Sequence, residues 1–193
     1  MILTKLLTSL RFRLSAWIRP RMVYGFRRHD GVFLPRTRLS NLTRVEHVHR
    51  LDIGDNVYIG HFNFVDASGG LTVGEGCQIT NYVSILTHSS HIAIRLYGRH
   101  YLDHKQHAGY LRKSSEIGRY SFIGPHSVLM PGVRLGRGSL VSAYSFVAAG
   151  DYPDYAILAG NPAQVVGDTR EMDQEWLASD PALRAMYEEW SRD

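Results

Sequence analysis

The chain of 193 residues, with 44% hydrophobic and 21% charged side chains and a formal charge of +4, has the make-up of one soluble globular domain with appendages at its ends. Its single cysteine, Cys77, excludes an internal disulfide and permits a reducing compartment. The positive excess is confined to one end and accompanies no nucleic-acid-binding motif, which excludes nucleic acid as a partner.

Residues 1–30 carry Lys5, Arg11, Arg13, Arg19, Arg21, Arg27 and Arg28 against Asp30. Within them Leu3, Leu6, Leu7, Leu10, Leu14, Trp17 and Ile18 fall on one helical face, and Pro20 ends the predicted amphipathic helix. Lys5, Arg11 and Arg13 interrupt any apolar run near the ~20 residues a membrane span requires. With no small-residue cleavage site following, the expected location is the cytoplasm. The helix docks on the rest of the protein or on a neighbouring subunit, or else residues 1–20 make a peripheral contact with anionic lipid at the inner face of the membrane.

From residue 31 to 167 the governing signal is a period of six. Aliphatic residues recur at Ile117, Ile123, Leu129, Leu135, Val141 and Val147, with Ser121, Ser127, Val133, Ser139 and Ser145 four places after the first five. Upstream the frame continues as Phe33, Leu39, Val45, then Ile53, Ile59, Val65, then Val73, Ile79, Ile85, each triplet separated from the next by a step of eight. A helix of 3.6 residues per turn cannot produce that frame, whereas an all-β parallel helix of three-sided coils does. Each short strand points one aliphatic inward, and Gly118, Gly124 and Gly136 let the chain turn. At about 4.8 Å per strand, five coils stand about 24 Å tall. Cys77 falls in a small corner position and is expected to be a buried filler rather than a nucleophile. A β-sandwich of many short strands is the competing fold.

Between Ile85 and Ile117 the frame is interrupted by a long loop, residues 87–115, leaving from the corner that carries the two-residue insertions. It holds His88, His91, His100, His104 and His107, five of the ten histidines. Histidine, ordinarily titrating near about 6.5, is the side chain best suited to act as a base at neutral pH. Residues 168–193 are acidic, and Asp180-Pro181 predicts the start of a C-terminal helix running through Trp190 that caps the open end of the coils.

The hexads, the Thr87-His88-Ser89-Ser90-His91 segment opening the loop, and the closing Leu158-Ala159-Gly160-Asn161-Pro162-Ala163 together resemble the hexapeptide-repeat acyltransferases over residues 33 to 167, and within them the sugar and polysaccharide O-acetyltransferases. The resemblance implies a left-handed β-helix, a homotrimer with active sites between subunits, and acetyl transfer from acetyl-CoA to a hydroxyl of a sugar or glycan acceptor, free or lipid-linked, in surface polysaccharide biosynthesis, with no metal. The base it implies lies just after the last hexad before the loop. His91 and His88 both qualify, and the spacing favours His91. Acceptor contacts fall on Asn63 and Asp66, although both residue types also brace turns. The donor-binding positions are Gly124, Pro125, Ser142, Ala143, Ala148, Gly160, Asn161 and Pro162. The basic residues that relatives carry after this last turn are missing, since Gln164 and Gly167 stand there, and the candidates for the phosphates are Arg170, Arg134 or Arg137. Rival readings are an N-acetyltransferase of amino sugars, a zinc enzyme of the carbonic anhydrase type using His100, His104 and His107, and a noncatalytic scaffold.

Overall fold

The computed structural model describes residues 19–192, so the N-terminal amphipathic helix lies outside the described residues. The remainder is mostly β, wound as three parallel walls. The first wall stacks Leu51–Ile53, Leu71–Val73, Ser115–Ile117, Val133–Leu135 and Gly150–Tyr152. The third stacks Arg44–Glu46, Phe64–Asp66, Ser84–Ile85, Val128–Leu129 and Phe146–Val147. The second, of eight strands, runs in parallel from Phe33–Ser40 to Ala156–Gly160 and carries one antiparallel strand at each edge, Met22–Arg27 and Ala163–Asp168.

Register explains the period. Ile53, Val73, Ile117 and Leu135 are Cα partners up the first wall, Leu39, Ile59, Ile79, Ile123 and Val141 up the second, and Val45, Val65, Ile85, Leu129 and Val147 up the third. From Ile53 onward these residues are at most 3% exposed and form one cluster. Each coil thereby buries apolar surface only against its neighbours, as a solenoid must. The four-after positions are also buried, from Val57, Cys77 and Val83 to Ser121, Ser127, Ser139 and Ser145. The serine hydroxyls are satisfied on carbonyls, Ser139 Oγ donating to Gly136 O and Ser145 Oγ to Ser142 O, both at 2.7 Å.

Cys77 is fully buried, and burial pushes its thiol up to about 12. Native protein should therefore leave a disulfide-exchange reagent unconsumed, and one equivalent of thiol should react only after denaturation. Consumption at a rate independent of unfolding would contradict this placement.

The corners turn differently from the expectation. The left-handed residue comes three places after the wall aliphatic and is mostly not glycine: Asn56, Phe62, Tyr82, Tyr120, His126, Tyr144 and Tyr155 have φ between 57° and 63°. At the second corner these side chains stack on one another, Phe62 on Tyr82 at 5.0 Å, Tyr82 on His126 at 4.8 Å and His126 on Tyr144 at 4.6 Å. Ring stacking offsets part of the cost of the left-handed backbone. The glycines directly after the aliphatics serve close approach instead. A Cβ at Gly118 would lie 2.4 Å from the Arg137 backbone nitrogen of the coil above.

Two ends of the frame are corrected. Phe33 does not point inward; it is 54% exposed, because its strand pairs there with Arg27 in the antiparallel ribbon and Leu34 takes the interior. At the far end a further partial coil follows Val147. Leu135 pairs with Tyr152 and Val141 with Leu158, steps of seventeen residues where the preceding pairs are eighteen apart.

The excursion is structured and ends earlier than expected, Ser115 already belonging to the first wall. It contains a two-stranded ribbon pairing His88–Ser89 with Leu111–Arg112, a short helix α1 (Ala93–Tyr97) and a 3-10 turn at Gly98–Asp103. Its mouth is closed by Lys113 N donating to Thr87 O at 3.0 Å.

The C-terminal region holds two helices rather than one, α2 (Thr169–Ser179) and α3 (Pro181–Ser191). Asp168 caps the first and Asp180 the second, with Pro181 in its first turn as expected. Trp190 of α3 lies 4.7 Å from the ring of Tyr120 and 6.0 Å from that of Tyr155, two residues of the first corner. These contacts place the helix alongside the column and not across its open end, because the corner tyrosines offer the apolar surface its aromatic face needs. No helix among the described residues is long and apolar enough to cross a membrane.

Candidate active site

The site forms at the third corner, where the excursion leaves. Asp66 follows the inward Val65, and its side chain is turned into the corner with no exposure. One carboxylate oxygen accepts from Ser68 N at 2.9 Å; the other accepts from Thr87 N at 2.9 Å and Thr87 Oγ1 at 2.8 Å. That second oxygen also lies 2.7 Å from His88 Nδ1, which in turn stands 2.9 Å from Ser68 Oγ. Burial opposes ionisation of this carboxyl. The amide donors of Ser68 and Thr87, with the Thr87 hydroxyl and the His88 ring, outweigh burial and hold Asp66 well below the usual carboxylate range. The result is a fixed negative charge that orients one imidazole. With its Nδ1–H directed at Asp66, a neutral His88 presents the Nε2 lone pair outward.

The ribbon supplies the rest. His88 faces Arg112 directly across it, and residues opposite one another in such a pair project to the same side. Tyr110, two places from Arg112, stacks on the His88 ring at 5.8 Å and 10°, and the Arg112 guanidinium lies 5.6 Å over the Tyr110 ring. Beside them opens a cleft of about 510 Å³ lined by Tyr101, Lys105, Gln106, His107, Tyr110 and Arg112. On the first-wall side of the same corner, a second cleft of about 530 Å³ is lined by Lys113, Gly132, Arg134 and Ala149 among others.

The other residues singled out from sequence divide clearly. His91 is exposed, with Ser89 Oγ at 2.8 Å from its Nδ1 and no carboxylate partner among the described residues. Asn63 is 3% exposed and braces the second corner, donating to Gly60 O and Thr80 O and accepting from Val83 N. Asp66 is fully buried, and its oxygens bond Ser68, Thr87 and His88 inside the protein. Gly124, Pro125, Ser142 and Ala143 form the second corner of two successive coils, and Gly160 ends the second-wall strand above them and leads into Asn161 and Pro162. Gly124 is buried, and a Cβ there would lie 2.6 Å from Ala143 N, so its smallness serves coil stacking. Ala148 lies at the third corner, where its carbonyl accepts from Tyr152 Oη at 3.0 Å. The chain by itself therefore does not bring the second-corner set to His88.

Arg170 pairs with Asp168 at 2.6 Å and lies 4.8 Å over Tyr155 at the first corner. Arg137 is held by Asp154 at 3.1 Å, whereas Arg134 has only a loose contact with Asp151 at 3.9 Å. His100, His104 and His107 do not gather as metal ligands. His107 Nε2 lies 2.6 Å from Tyr101 O, and His100 pairs with Asp103. The set of three metal-ligand types that does converge among the described residues is Glu46, His47 and Asp66, whose Asp66 oxygens are already occupied. Sequence reading missed Ser68, Thr87, Tyr110 and Arg112. Thr87, beside His88, carried the only sequence signal, and the other three depend on which strands pair.

No protein-family model matches the chain. It is 30% identical over 135 residues to the carnitine operon protein CaiE of Proteus, an alignment covering 64% of this chain and 61% of that protein. It is 30% identical over 134 residues to the galactoside O-acetyltransferase of Escherichia coli, covering 66% and 61%. Among solved structures, a galactoside acetyltransferase in complex with coenzyme A superposes with a TM-score of 0.56 at 24% identity, over 68% of this chain and 62% of that one. The chain thus spans about three-fifths of the length of these relatives.

Proposed function

Because the chain belongs to the hexapeptide-repeat acyltransferases, we propose that it is an enzyme transferring acetyl from acetyl-CoA to a sugar hydroxyl, with His88 as general base. The observation that carries this reading is the buried Asp66 carboxylate 2.7 Å from His88 Nδ1. Acetyl-CoA, when bound, supplies an activated carbonyl. His88 Nε2 then takes the proton of the attacking hydroxyl as the new C–O bond forms, and the same nitrogen returns it to the departing thiolate as the C–S bond breaks. Asp66 does not exchange protons; it fixes the ring and offsets the positive charge the ring carries midway. No covalent intermediate with the protein is needed. Of the two histidines weighed from sequence, the carboxylate goes with the one the spacing disfavoured.

The cleft at Lys113 and Arg134 suits the donor. Gly132 and Ala149 let the donor's extended pantetheine arm lie close to the corner, with Lys113, Arg134 and Asp151 beside it. A left-handed coil and a trimer are part of the same reading. In a trimer, the second corner of one copy, with Ser142 and Ala143, would stand against the third corner of its neighbour and complete the donor path. Light scattering should then give three times the 21.9 kDa of one chain; a monomer with full turnover would remove the intersubunit site. In the same reading the acceptor belongs to surface-glycan assembly in the cytoplasm, and the basic residues among 1–20 support a peripheral membrane contact as the alternative to docking on the protein. Incubation with acetyl-CoA and a glycan panel should add the mass of one acetyl group to an acceptor with release of free thiol. Hydrolysis alone, across the panel, would defeat the proposal.

A further inference from the structure

Resting on that reading of His88, we infer that the acceptor carries a phosphate group, bound by Arg112 and Lys105 beside the base. The cleft of about 510 Å³ that opens next to His88 is lined by two cations, two tyrosines, Gln106 and His107, and by no carboxylate. Neither Lys105 nor Arg112 forms an ion pair among the described residues, although both are exposed in a loop that also contains Asp103. Asp103 is committed to His100 at 3.0 Å. Arg112 is not free to wander: it sits opposite His88 in the ribbon and its guanidinium lies over Tyr110. A guanidinium anchored over a ring, with no carboxylate to occupy its N–H groups, is suited to forked recognition of a phosphate.

The donor cannot be the owner of that phosphate. The pantetheine arm separates the phosphates of coenzyme A from its sulfur by many bonds. With the thioester at His88, those phosphates must lie well away along the column. A cation directly across a two-stranded ribbon from the base can reach only a group close to the reacting hydroxyl, and that group belongs to the acceptor. The tyrosines add flat apolar surface on which a sugar face can rest. The chemistry fits a sugar phosphoester, whether the phosphate leads on to a nucleoside or to a lipid.

The test compares matched acceptors, a panel of hexoses offered as 1-phosphates and as neutral methyl glycosides, with full-length wild type, Arg112→Gln and Lys105→Gln. For the preferred hexose, the 1-phosphate should be the better acceptor by at least about tenfold in kcat/KM. Each variant should erase most of that advantage through KM for the 1-phosphate, leaving KM for acetyl-CoA unchanged. Equal use of the two forms, or a rise in KM for acetyl-CoA in the variants, overturns the inference while leaving the transferase reading intact. Binding is also read without turnover, by calorimetric titration of the 1-phosphates. Saturable binding that Arg112→Gln weakens about tenfold or more supports the site even if no acetyl transfer occurs, and no binding of any 1-phosphate overturns it. A nucleotide sugar and a polyprenyl diphosphate sugar as further acceptors separate the two sources of the phosphate.

Discussion

His88→Ala should lower kcat by about 10² to 10⁴-fold, the range that a positioned general base supplies, with the binding of coenzyme A left near its wild-type value. The expectation follows from where the proton must go. Among the histidines of the excursion, His88 is the one that sits on a buried carboxylate, its Nδ1 2.7 Å from Asp66. His91 has a hydroxyl for a partner and an exposed ring. His91→Ala should therefore cost less than about tenfold in kcat, a rim effect rather than loss of the base. Steady-state rates of thiol release for the two variants decide between them. A large loss in His91→Ala with His88→Ala near wild type would reverse the assignment and leave the Asp66 network without a catalytic purpose.

The second large effect belongs to Asp66→Asn, which should damage both stability and turnover. The carboxylate accepts from two backbone amides, a hydroxyl and a ring nitrogen. An asparagine amide would set its own N–H2 against at least one of these donors, leaving buried groups unsatisfied at about 2 to 4 kcal/mol. Turnover should fall by about 10² or more, since the ring would lose both its tautomer and its counter-charge. The pH dependence separates this from a generic packing defect. Asp66 is held below its unfolded value, so its contribution is fully present above about pH 4 and is lost as pH falls through the lower folded-state value. The stability gap between wild type and Asp66→Asn should thus be widest near neutrality and narrow on acidification below about pH 4. Denaturant titrations across that range test it; a gap that is constant with pH would mean the carboxylate is not ionised in the fold.

How far the chain could be read in advance depended on which forces repeat. The wall residues recur because every coil meets an identical neighbour, so Ile53 through Val147 announced both their burial and their register. The frame failed where that environment ended. Phe33 lies at the bottom edge, with an antiparallel strand for a neighbour instead of a coil, and Tyr152 follows a one-residue shortening that breaks the count. The site was legible as a place and not as a constellation. The interruption after Ile85 marked the corner, and Asp66 and His88 were both noticed. Their union requires knowing that residues about twenty apart stand one coil above the other and that both side chains turn into the same corner. Asn63 shows the same difficulty from the other side, a polar residue near the site whose amide is spent on three backbone groups. Arg112 was hidden because its importance comes from an antiparallel pairing within a segment that has no period at all.

The way the excursion is tied at its mouth has an implication for how such proteins diversify. Ser84 pairs with Val128, and Leu71 with Ser115, as if nothing lay between them, and a single backbone bond joins residue 113 to residue 87. The column thus keeps its hydrogen bonding whatever length of chain is spliced in at that point, since closing a longer surface loop costs little. If the proposed acceptor cleft sets preference, transplanting the 88–112 segment between relatives that keep His88 should carry that preference with it while the scaffold still folds.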